Sequence, residues 1–364
     1  MYSPARHIPQ IFRKTRPIHL TFFLTRRCNS QCPFCFYLRD KQRDTAGTAP
    51  ELSLDEIKKI SRSMGSLLWL AFSGGEIYLR DDLADISRVF YDNNRPAIML
   101  YPTNGLLPGV IRSRTKEILK SCKNSVIVVK LSIDGLRGAH DALRNMPGSF
   151  EKTMLTYNML AELAERYPNF ELGVNTVFCS ENQHYMDGII DYVKTLEHIK
   201  THTISLVRGD LLNSQYKDVD HGLYNRAIDR LASDLKSGRS ACYRFRGARI
   251  KAAQDIVQRR LIHKTLYKQK RLIPCYAGRL NLVLGESGEV FPCEILGESM
   301  GNVRDFDGDI GKLLRTEKAA KVIRSIKDQK CYCTHECYFM TNILFNPALF
   351  PAIAKEYLYL INFR

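Results

Sequence analysis

The chain alternates between apolar segments with the composition of β-strands and amphipathic segments with a helical period. Strands are predicted at residues 18–25, 67–73, 97–102, 125–133, 171–178 and 203–207. Helices are predicted at residues 53–64, 82–92, 110–121, 150–166 and 185–195. Strands that alternate with helices in this way form parallel sheets with helical crossovers. Because the pattern stops after six strands, we expect an α/β fold whose core is a partial, TIM-like (β/α)6 barrel.

The pattern changes twice after the sixth strand. Residues 211–274 are polar and basic, and their helical patterns at 224–236 and 248–266 predict helices that either finish the barrel or bridge to the next unit. From Cys275 onward, short strands, turns and cysteines predict a small α+β domain. The predicted units are an N-terminal extension (1–17), a barrel (18–210), a helical bridge (211–274), a cysteine-rich domain (275–340) and an apolar helical tail (341–364).

Polar residues and glycines lie at the ends of the predicted strands. Parallel barrels gather their chemistry at the carboxyl ends of the strands, so we expect these residues to share one rim. In chain order they are Cys28, Cys32 and Cys35, then Gly74, Gly75 and Glu76, then Asn104, then Ser132 and Asp134, then Asn175 within the fifth strand, and Arg208 after the sixth.

The composition is that of a globular protein, with 364 residues, 45% hydrophobic residues and a net charge of +16. No run of about 18 apolar residues predicts a membrane span. Arg26 and Arg27 follow the first apolar stretch, where a signal peptide needs small residues. We therefore expect a cytoplasmic protein. The basic excess favours anionic partners, and nucleic acid is the least favoured of these because no RNA-binding motif is present.

The apolar tail has two interpretations. A helix at 348–362 would lie on an anionic membrane surface, which would place the protein at the inner face of the membrane. Alternatively it packs over the mouth of the barrel as core, which is the interpretation that we favour.

The chain contains eleven cysteines. Without an export signal they do not predict disulfides, and clustered thiols in a reducing compartment predict metal. Cys122, Cys179 and Cys242 stand alone and are expected in the core. The other eight form two groups, which are Cys28, Cys32 and Cys35 in a C-x3-C-x2-C run, and Cys275, Cys293, Cys331, Cys333 and Cys337. Three thiolates can hold three irons of a [4Fe-4S] cube and leave the fourth iron open to a small molecule.

The C-x3-C-x2-C run followed by Ser73-Gly74-Gly75-Glu76 resembles the radical S-adenosylmethionine (radical SAM) superfamily. The resemblance implies that the three thiolates hold a [4Fe-4S] cluster whose open iron binds S-adenosylmethionine. It also implies an electron donor such as flavodoxin or ferredoxin. The electron cleaves the cofactor to a 5′-deoxyadenosyl radical, which removes hydrogen from a substrate.

The resemblance further implies roles for individual residues around S-adenosylmethionine. They are Phe34 at the adenine, Gly74, Gly75 and Glu76 at the methionine moiety and its amine, Ser132 and Asp134 at polar atoms of the ribose and methionine, Arg144 at the carboxylate, and Asn104, Asn175 and Arg208 at less defined positions. Seven have a second interpretation, which is a plain strand-to-helix turn for Gly74, Gly75 and Glu76, barrel core for Phe34, a satisfied turn or strand residue for Asn104 and Asn175, and a substrate ligand or rim charge for Arg208. Asn145 stands where the family usually has glycine, so that loop is expected to differ. No catalytic side chain is identified.

The second cysteine group resembles the SPASM/twitch extension of the superfamily. Gly288 precedes Cys293 with four residues between them, and Cys333 and Cys337 are spaced C-x3-C. Five thiols cannot ligate two cubes, so we expect one auxiliary [4Fe-4S] cluster, with a structural zinc site as the alternative. The expected ligands are Cys275, Cys293, Cys337 and either Cys331 or Cys333. His335 is expected on an exposed loop.

The resemblance implies an enzyme and leaves open whether its reaction is an oxidation, an epimerisation or a coupling. We expect a sugar, polyol or lipid-linked substrate. Only 17 residues precede the first strand, and the leader-binding domain of many peptide maturases does not fit there. A peptide- or protein-modifying maturase is the alternative. An RNA-modifying enzyme or a non-enzymatic electron carrier explains the three-cysteine run less well.

Overall fold

A computed structural model of the chain describes residues 1–37, 49–245, 247–328 and 331–360. The described residues form a nine-stranded sheet in the order β6-β5-β4-β3-β2-β1-β7-β8-β9. The strands are β1 (His19–Thr25), β2 (Trp69–Gly74), β3 (Ile98–Thr103), β4 (Val126–Ser132), β5 (Phe170–Phe178), β6 (Ile199–Leu206), β7 (Asn281–Leu284), β8 (Glu289–Phe291) and β9 (Gly301–Asn302). All pairs from β6 to β7 are parallel, whereas β7–β8 and β8–β9 are antiparallel. The six predicted strands of the partial barrel are confirmed.

Helices connect the parallel strands as crossovers, which confirms the α/β class. The α-helices are α1 (Gln10–Arg13), α2 (Leu54–Ser63), α3 (Leu83–Asn94), α4 (Pro108–Ser121), α5 (Gly138–Arg144), α6 (Ser149–Arg166), α7 (Met186–Lys194), α8 (His221–Lys236), α9 (Ala248–Lys268), α10 (Ile310–Leu314), α11 (Glu317–Asp328), α12 (Glu336–Leu344) and α13 (Phe350–Tyr359). The sequence predicted α2 to α4 and α6 to α9 within a few residues. It did not predict α5 or α10, which are only one or two turns long, and it did not predict α11.

Helix α2 begins where the sequence predicts, at a capping box. The Ser53 hydroxyl accepts from the Glu56 backbone N–H at 3.3 Å, and the Glu56 carboxylate accepts from the Ser53 N–H at 2.8 Å. Arg304, far along the chain, donates from Nε to Glu56 at 2.6 Å. This hydrogen bond lowers the pKa of Glu56 to about 2. The cap thus also fastens the C-terminal region to the barrel.

The cysteine-rich region continues the sheet of the barrel. Strand β7 pairs in parallel with β1, with Asn281 opposite His19, and β8 and β9 extend this edge. The sequence predicted short strands here without this pairing, because a four-residue strand carries too little pattern to identify its neighbour. The second cysteine group is therefore anchored beside the strand that leads into the first.

Helices α8 and α9 complete the barrel wall beyond β6. Helix α8 packs against β6 and α7, and α9 packs against α8, α12 and α13. Ala252, Ala253 and Ile256 of α9 are fully buried in the core. Helix α8 thus lies against the barrel and α9 connects it to the C-terminal helices, and the assignment of the region 211–274 to one unit stays a prediction.

The tail packs as part of the core in α12 and α13. Phe339 and Ile343 are buried in the main hydrophobic cluster, as is Ile353 of α13. Leu358 and Tyr359 remain exposed, and residues 361–364 lie outside the described residues. In the part of the chain that the structure describes, no single helix is long and apolar enough to cross a membrane. Only α12 together with Pro347–Tyr359, bent by 90°, passes that test of length and composition.

Candidate active site

One cavity of about 680 Å³ runs through the barrel from the carboxyl ends of the strands into its interior. Most of the predicted cofactor residues line it, although they come from strands β2, β4 and β5, from the loops after β1, β2, β3 and β6, and from helix α5. They are Cys28, Cys32, Phe34, Cys35, Gly74, Gly75, Glu76, Asn104, Ser132, Arg144, Asn175 and Arg208. Asp134 does not line the cavity. The residues predicted for the rim, except Asp134, therefore share the wall of one cavity.

The loop that carries the first cysteine group is bound to the residues that follow β2. The Thr25 carbonyl accepts from the Gly75 N–H at 2.7 Å, and the Arg27 carbonyl accepts from the Glu76 N–H at 2.9 Å. A Cβ at Gly75 would overlap with the Arg27 carbonyl, and Gly74 has a φ of +108°. The two glycines are thus required by the close approach of the cysteine loop, a reason that the sequence did not reveal.

Glu76 is buried at the centre of this junction. Its carboxylate accepts from the Asn104 N–H at 2.8 Å, from the Thr103 hydroxyl at 3.0 Å and from the Tyr78 N–H at 3.2 Å. Burial raises the pKa of Glu76 to about 7, although these hydrogen bonds lower it. Since a carboxylate offers about four lone-pair sites, one remains for a further donor such as the amine of a ligand.

Arg144 and Asp134 form a buried ion pair beside the cysteine loop. Arg144 donates to Asp134 Oδ2 from Nε at 2.8 Å and from Nη2 at 2.7 Å, and Asp134 Oδ1 accepts from the Val177 N–H at 2.7 Å. Burial lowers the pKa of Arg144, but Asp134 and the thiols of Cys32 and Cys28 raise it by more. The pKa of Arg144 therefore lies above its ordinary value. Asp134 therefore lies behind Arg144, which lines the cavity, and the contact of either residue with a cofactor stays a prediction.

Asn104 and Phe34 have structural roles in addition to the predicted contact with the cofactor. The Asn104 side chain donates to Asn29 at 2.7 Å and accepts from the Leu106 N–H at 3.0 Å. Phe34 is 6% exposed and packs among apolar residues that include Leu143. Both second interpretations from the sequence thus describe part of what these side chains do, and their contact with a cofactor stays a prediction.

Arg208 joins the barrel rim to the cysteine-rich region. It contacts Glu336 at 3.1 Å and Glu294 at 3.5 Å, and Glu294 in turn contacts His335 at 2.7 Å. Burial disfavours the charged forms of Glu294 and His335. The contact between these two side chains nevertheless lowers the pKa of Glu294 and raises that of His335. The expectation that His335 lies exposed on a loop is wrong: it is 1% exposed. A buried carboxylate from a distant loop supplies its partner, which sequence spacing cannot show.

The thiols of the second group lie near one another. Electrostatic contacts join Cys333 to Cys275, Cys293 and Cys331, and together with burial they raise the pKa of Cys333 to about 12. Cys337 packs in the same apolar cluster as Cys275 and Cys293 and also lines the cavity. Thiols that disfavour one another's ionisation suit a cation that neutralises them. The structure does not choose the fourth ligand, which stays a prediction.

Both cysteine groups fit iron–sulfur clusters in the chemistry of their donors. The first is a loop of three thiols beside a guanidinium, and the second is a set of five, of which four are half-buried and Cys331 is exposed. Among the described residues, no three Cys, His, Asp or Glu side chains converge on the position of one metal ion. A four-iron cube is wider than one ion and needs its thiolates further apart.

Two of the three isolated cysteines are core residues as predicted. Cys122 and Cys179 are fully buried. Cys242 is only partly buried and lines the cavity. Sequence reasoning also missed Lys130, a cavity residue in the middle of β4. The available signal was a lysine within the apolar run 126–133, which is unusual for a buried strand.

Comparison with known proteins assigns the family. Residues 22–193 match the model of the radical SAM superfamily. Residues 22–193, just under half of the chain, are therefore a radical SAM domain. The cofactors of such a domain are a [4Fe-4S] cluster and S-adenosylmethionine, as the sequence predicts, and an auxiliary cluster in the C-terminal cysteine group stays a prediction.

The names of proteins similar to this chain refer to different substrates. An AdoMet-dependent heme synthase of Methanosarcina barkeri is 27% identical over 79% of this chain and 80% of its own length. The subtilosin biosynthesis protein AlbA of Bacillus subtilis is 26% identical over 79% of this chain, but this chain spans only 57% of AlbA. The solved structure of anSMEcpe with bound AdoMet, at 19% identity and a TM-score of 0.60, covers 94% of this chain and 96% of that one. This structure supports the radical SAM fold.

Proposed function

We propose that this radical SAM protein removes a hydrogen atom from a small organic substrate, a sugar, a polyol or the head of a lipid-linked molecule, bound inside the barrel. The observation that carries the proposal is the single cavity shared by the three cysteines, Arg144, Glu76 and the barrel interior. Its volume of about 680 Å³ is in the range of small-molecule sites. When bound, the cluster and S-adenosylmethionine supply a 5′-deoxyadenosyl radical, which performs the abstraction.

The residues of the cavity have distinct tasks in this proposal. Cys28, Cys32 and Cys35 hold the cluster. Arg144, fixed by Asp134, binds the carboxylate of S-adenosylmethionine as a charge-assisted pair. Glu76 accepts from the amine of the same molecule with its remaining lone pair. The barrel wall excludes water from the reacting atoms.

The auxiliary cluster occupies the second cysteine group in this proposal. Cys275, Cys293 and Cys337, which pack in one apolar cluster, are three of its ligands, and Cys331 or Cys333 completes the set. The Arg208–Glu294–His335 contacts link this group to the cavity. A cluster there would lie next to the substrate, where it can accept an electron.

A peptide substrate is the second candidate. It is favoured by the similarity to AlbA, a bacteriocin biosynthesis protein, over 79% of this chain. The heme synthase named above is equally similar, so relationship alone does not choose the substrate class.

The decisive experiment is anaerobic reconstitution with iron and sulfide, followed by dithionite and S-adenosylmethionine. We expect 5′-deoxyadenosine by mass spectrometry, and none from a variant with Cys28, Cys32 and Cys35 all changed to alanine. Iron near eight per chain supports two clusters, and about four per chain means that the second group is empty or holds zinc. A fully loaded wild-type protein that binds S-adenosylmethionine and never cleaves it would refute the proposal.

A further inference from the structure

A lysine occupies the barrel interior beneath the cofactor residues. Lys130 precedes Ser132 by two residues on the same face of β4, about 7 Å along the strand, and both line the cavity. Its ammonium donates to the Thr203 hydroxyl on β6. Between them, on β5, stands Gly173, opposite Lys130. A Cβ there would lie 3.5 Å from Lys130 Cε and 2.5 Å from the Thr201 hydroxyl, so the glycine makes room for the lysine to cross β5.

A second cation faces the same region from α9. Arg259 lines the cavity, and its Nη1 atom is buried without a hydrogen-bond partner among the described residues. Burial, Lys130 and Arg259 are the main causes that lower the pKa of His202 to about 3. Both cations thus act on the same imidazole and line the same cavity. His202 is consequently neutral, and its Nε2 bonds to the Thr176 hydroxyl at 2.9 Å.

The other cations on the cavity wall have carboxylates beside them. These contacts are Arg144 with Asp134, Lys194 and Arg239 with Asp234, Lys251 with Asp255, Arg208 with Glu294 and Glu336, and Lys200 near Glu171 and Glu197. Burial and Lys251 lower the pKa of Lys130, whereas Asp255, Cys337 and Glu336 raise it, and Lys130 forms no ion pair with any of them within the described chain. Arg259 likewise forms none there. Buried charges without an ion-pair partner are costly, so an anion bound at these cations would reduce that cost.

We propose that Lys130 and Arg259 form a subsite for an acidic group of the substrate, a carboxylate or a phosphate. A guanidinium and an ammonium together supply charge-assisted donors to several oxygens of one anion. The subsite would hold the substrate by its acidic end while its reacting carbon extends past Ser132 toward the cofactor. This inference rests on the proposed function and adds to it the class of substrate, an organic acid or phosphate ester.

The test uses the reconstituted holoenzyme with S-adenosylmethionine and without reductant, so that no turnover occurs. Inorganic phosphate and succinate are titrated separately by calorimetry in a buffer free of both. We expect one of them to bind with a Kd on the order of 1 mM, and the tighter one identifies the acidic group. Lys130→Met and Arg259→Met should each weaken binding about tenfold or more, since a hydrogen bond to a charged group is lost. Lys264→Met, an exposed position on the same helix, is the matched control.

A chemical readout on the wild-type protein covers the case in which a variant does not fold. Burial lowers the pKa of Lys130 to about 8, so an acylating reagent should label it at mildly alkaline pH, and the bound anion should protect it while Lys264 stays unprotected. Absence of saturable binding by either anion, or equal binding by both variants and the control, would overturn the subsite. Failure of the function is separate, because it shows as absence of 5′-deoxyadenosine in the reductive assay.

Discussion

The two ends of the cavity differ in how the fold balances buried charge. Beside the cysteine loop, Arg144 has its counter-charge built into the protein, with two contacts to Asp134 of 2.7 and 2.8 Å. In the barrel interior, Lys130 and Arg259 face the cavity without an ion-pair partner in the described chain. A built-in pair keeps a guanidinium in one orientation whether or not a ligand is present. Unpaired cations leave the balance to be completed by whatever binds.

The sharpest test of this difference breaks the pair at the cysteine end. Arg144→Met leaves the Asp134 carboxylate buried and unpaired, so we expect a loss of about 3–5 kcal/mol in the free energy of unfolding. Urea denaturation measures it. The control is Arg112→Met, since Arg112 contacts Glu162 at 3.0 Å on the surface and should cost about 1 kcal/mol or less. Equal losses in the two variants would mean that the buried pair is not what organises this end.

Glu76 is the exception at the cysteine end, because its carboxylate is held by neutral donors alone. Burial raises its pKa from 4.5 to about 7, so the folded state retains a proton that the unfolded state has lost. Its contribution to stability is full below pH 4.5 and is lost as the pH rises through 7, by about 3 kcal/mol in total. Glu76→Gln should remove this slope from urea denaturation measured at pH 5 and pH 8. A variant with the same slope as the wild type would show that Glu76 titrates normally.

The sequence predicted the cysteine end better than the interior, for a physical reason. Residues such as Gly75 and Glu76 follow a strand directly, and all strands of a parallel barrel end on one rim, so periodicity alone places them together. What it cannot supply is the partner across space. Asp134 pairs with Arg144 across a turn and a helix whose geometry depends on the whole rim, so the pattern could not show that the two residues form an ion pair.

The interior was harder to predict because orientation decides its chemistry. Lys130 stands in a strand buried on both faces, where the apolar pattern does not tell the inner face from the outer. Arg259 belongs to a helix that packs against α8, α12 and α13, so polar and apolar residues are spread around it. The pairing of β7 with β1, which brings α12 to the cavity, depends on four residues. Each of these features is set by tertiary contacts.

The smallest effect, and one of opposite sign, is expected from removing a charge in the interior. Lys130→Met replaces an ammonium that lacks a counter-charge with an apolar chain of similar length, so we expect the free energy of unfolding to rise by about 1–2 kcal/mol at pH 7. Because burial lowers the pKa of Lys130 to about 8, the folded wild type sheds this proton earlier than the unfolded chain. Its stability therefore recovers as the pH rises above 8, and the advantage of the variant should shrink there. Urea denaturation at pH 7 and pH 9.5 measures both, with Lys264→Met as the control. A destabilised Lys130→Met protein would mean that the fold already satisfies this ammonium, and the contrast between the two ends of the cavity would disappear.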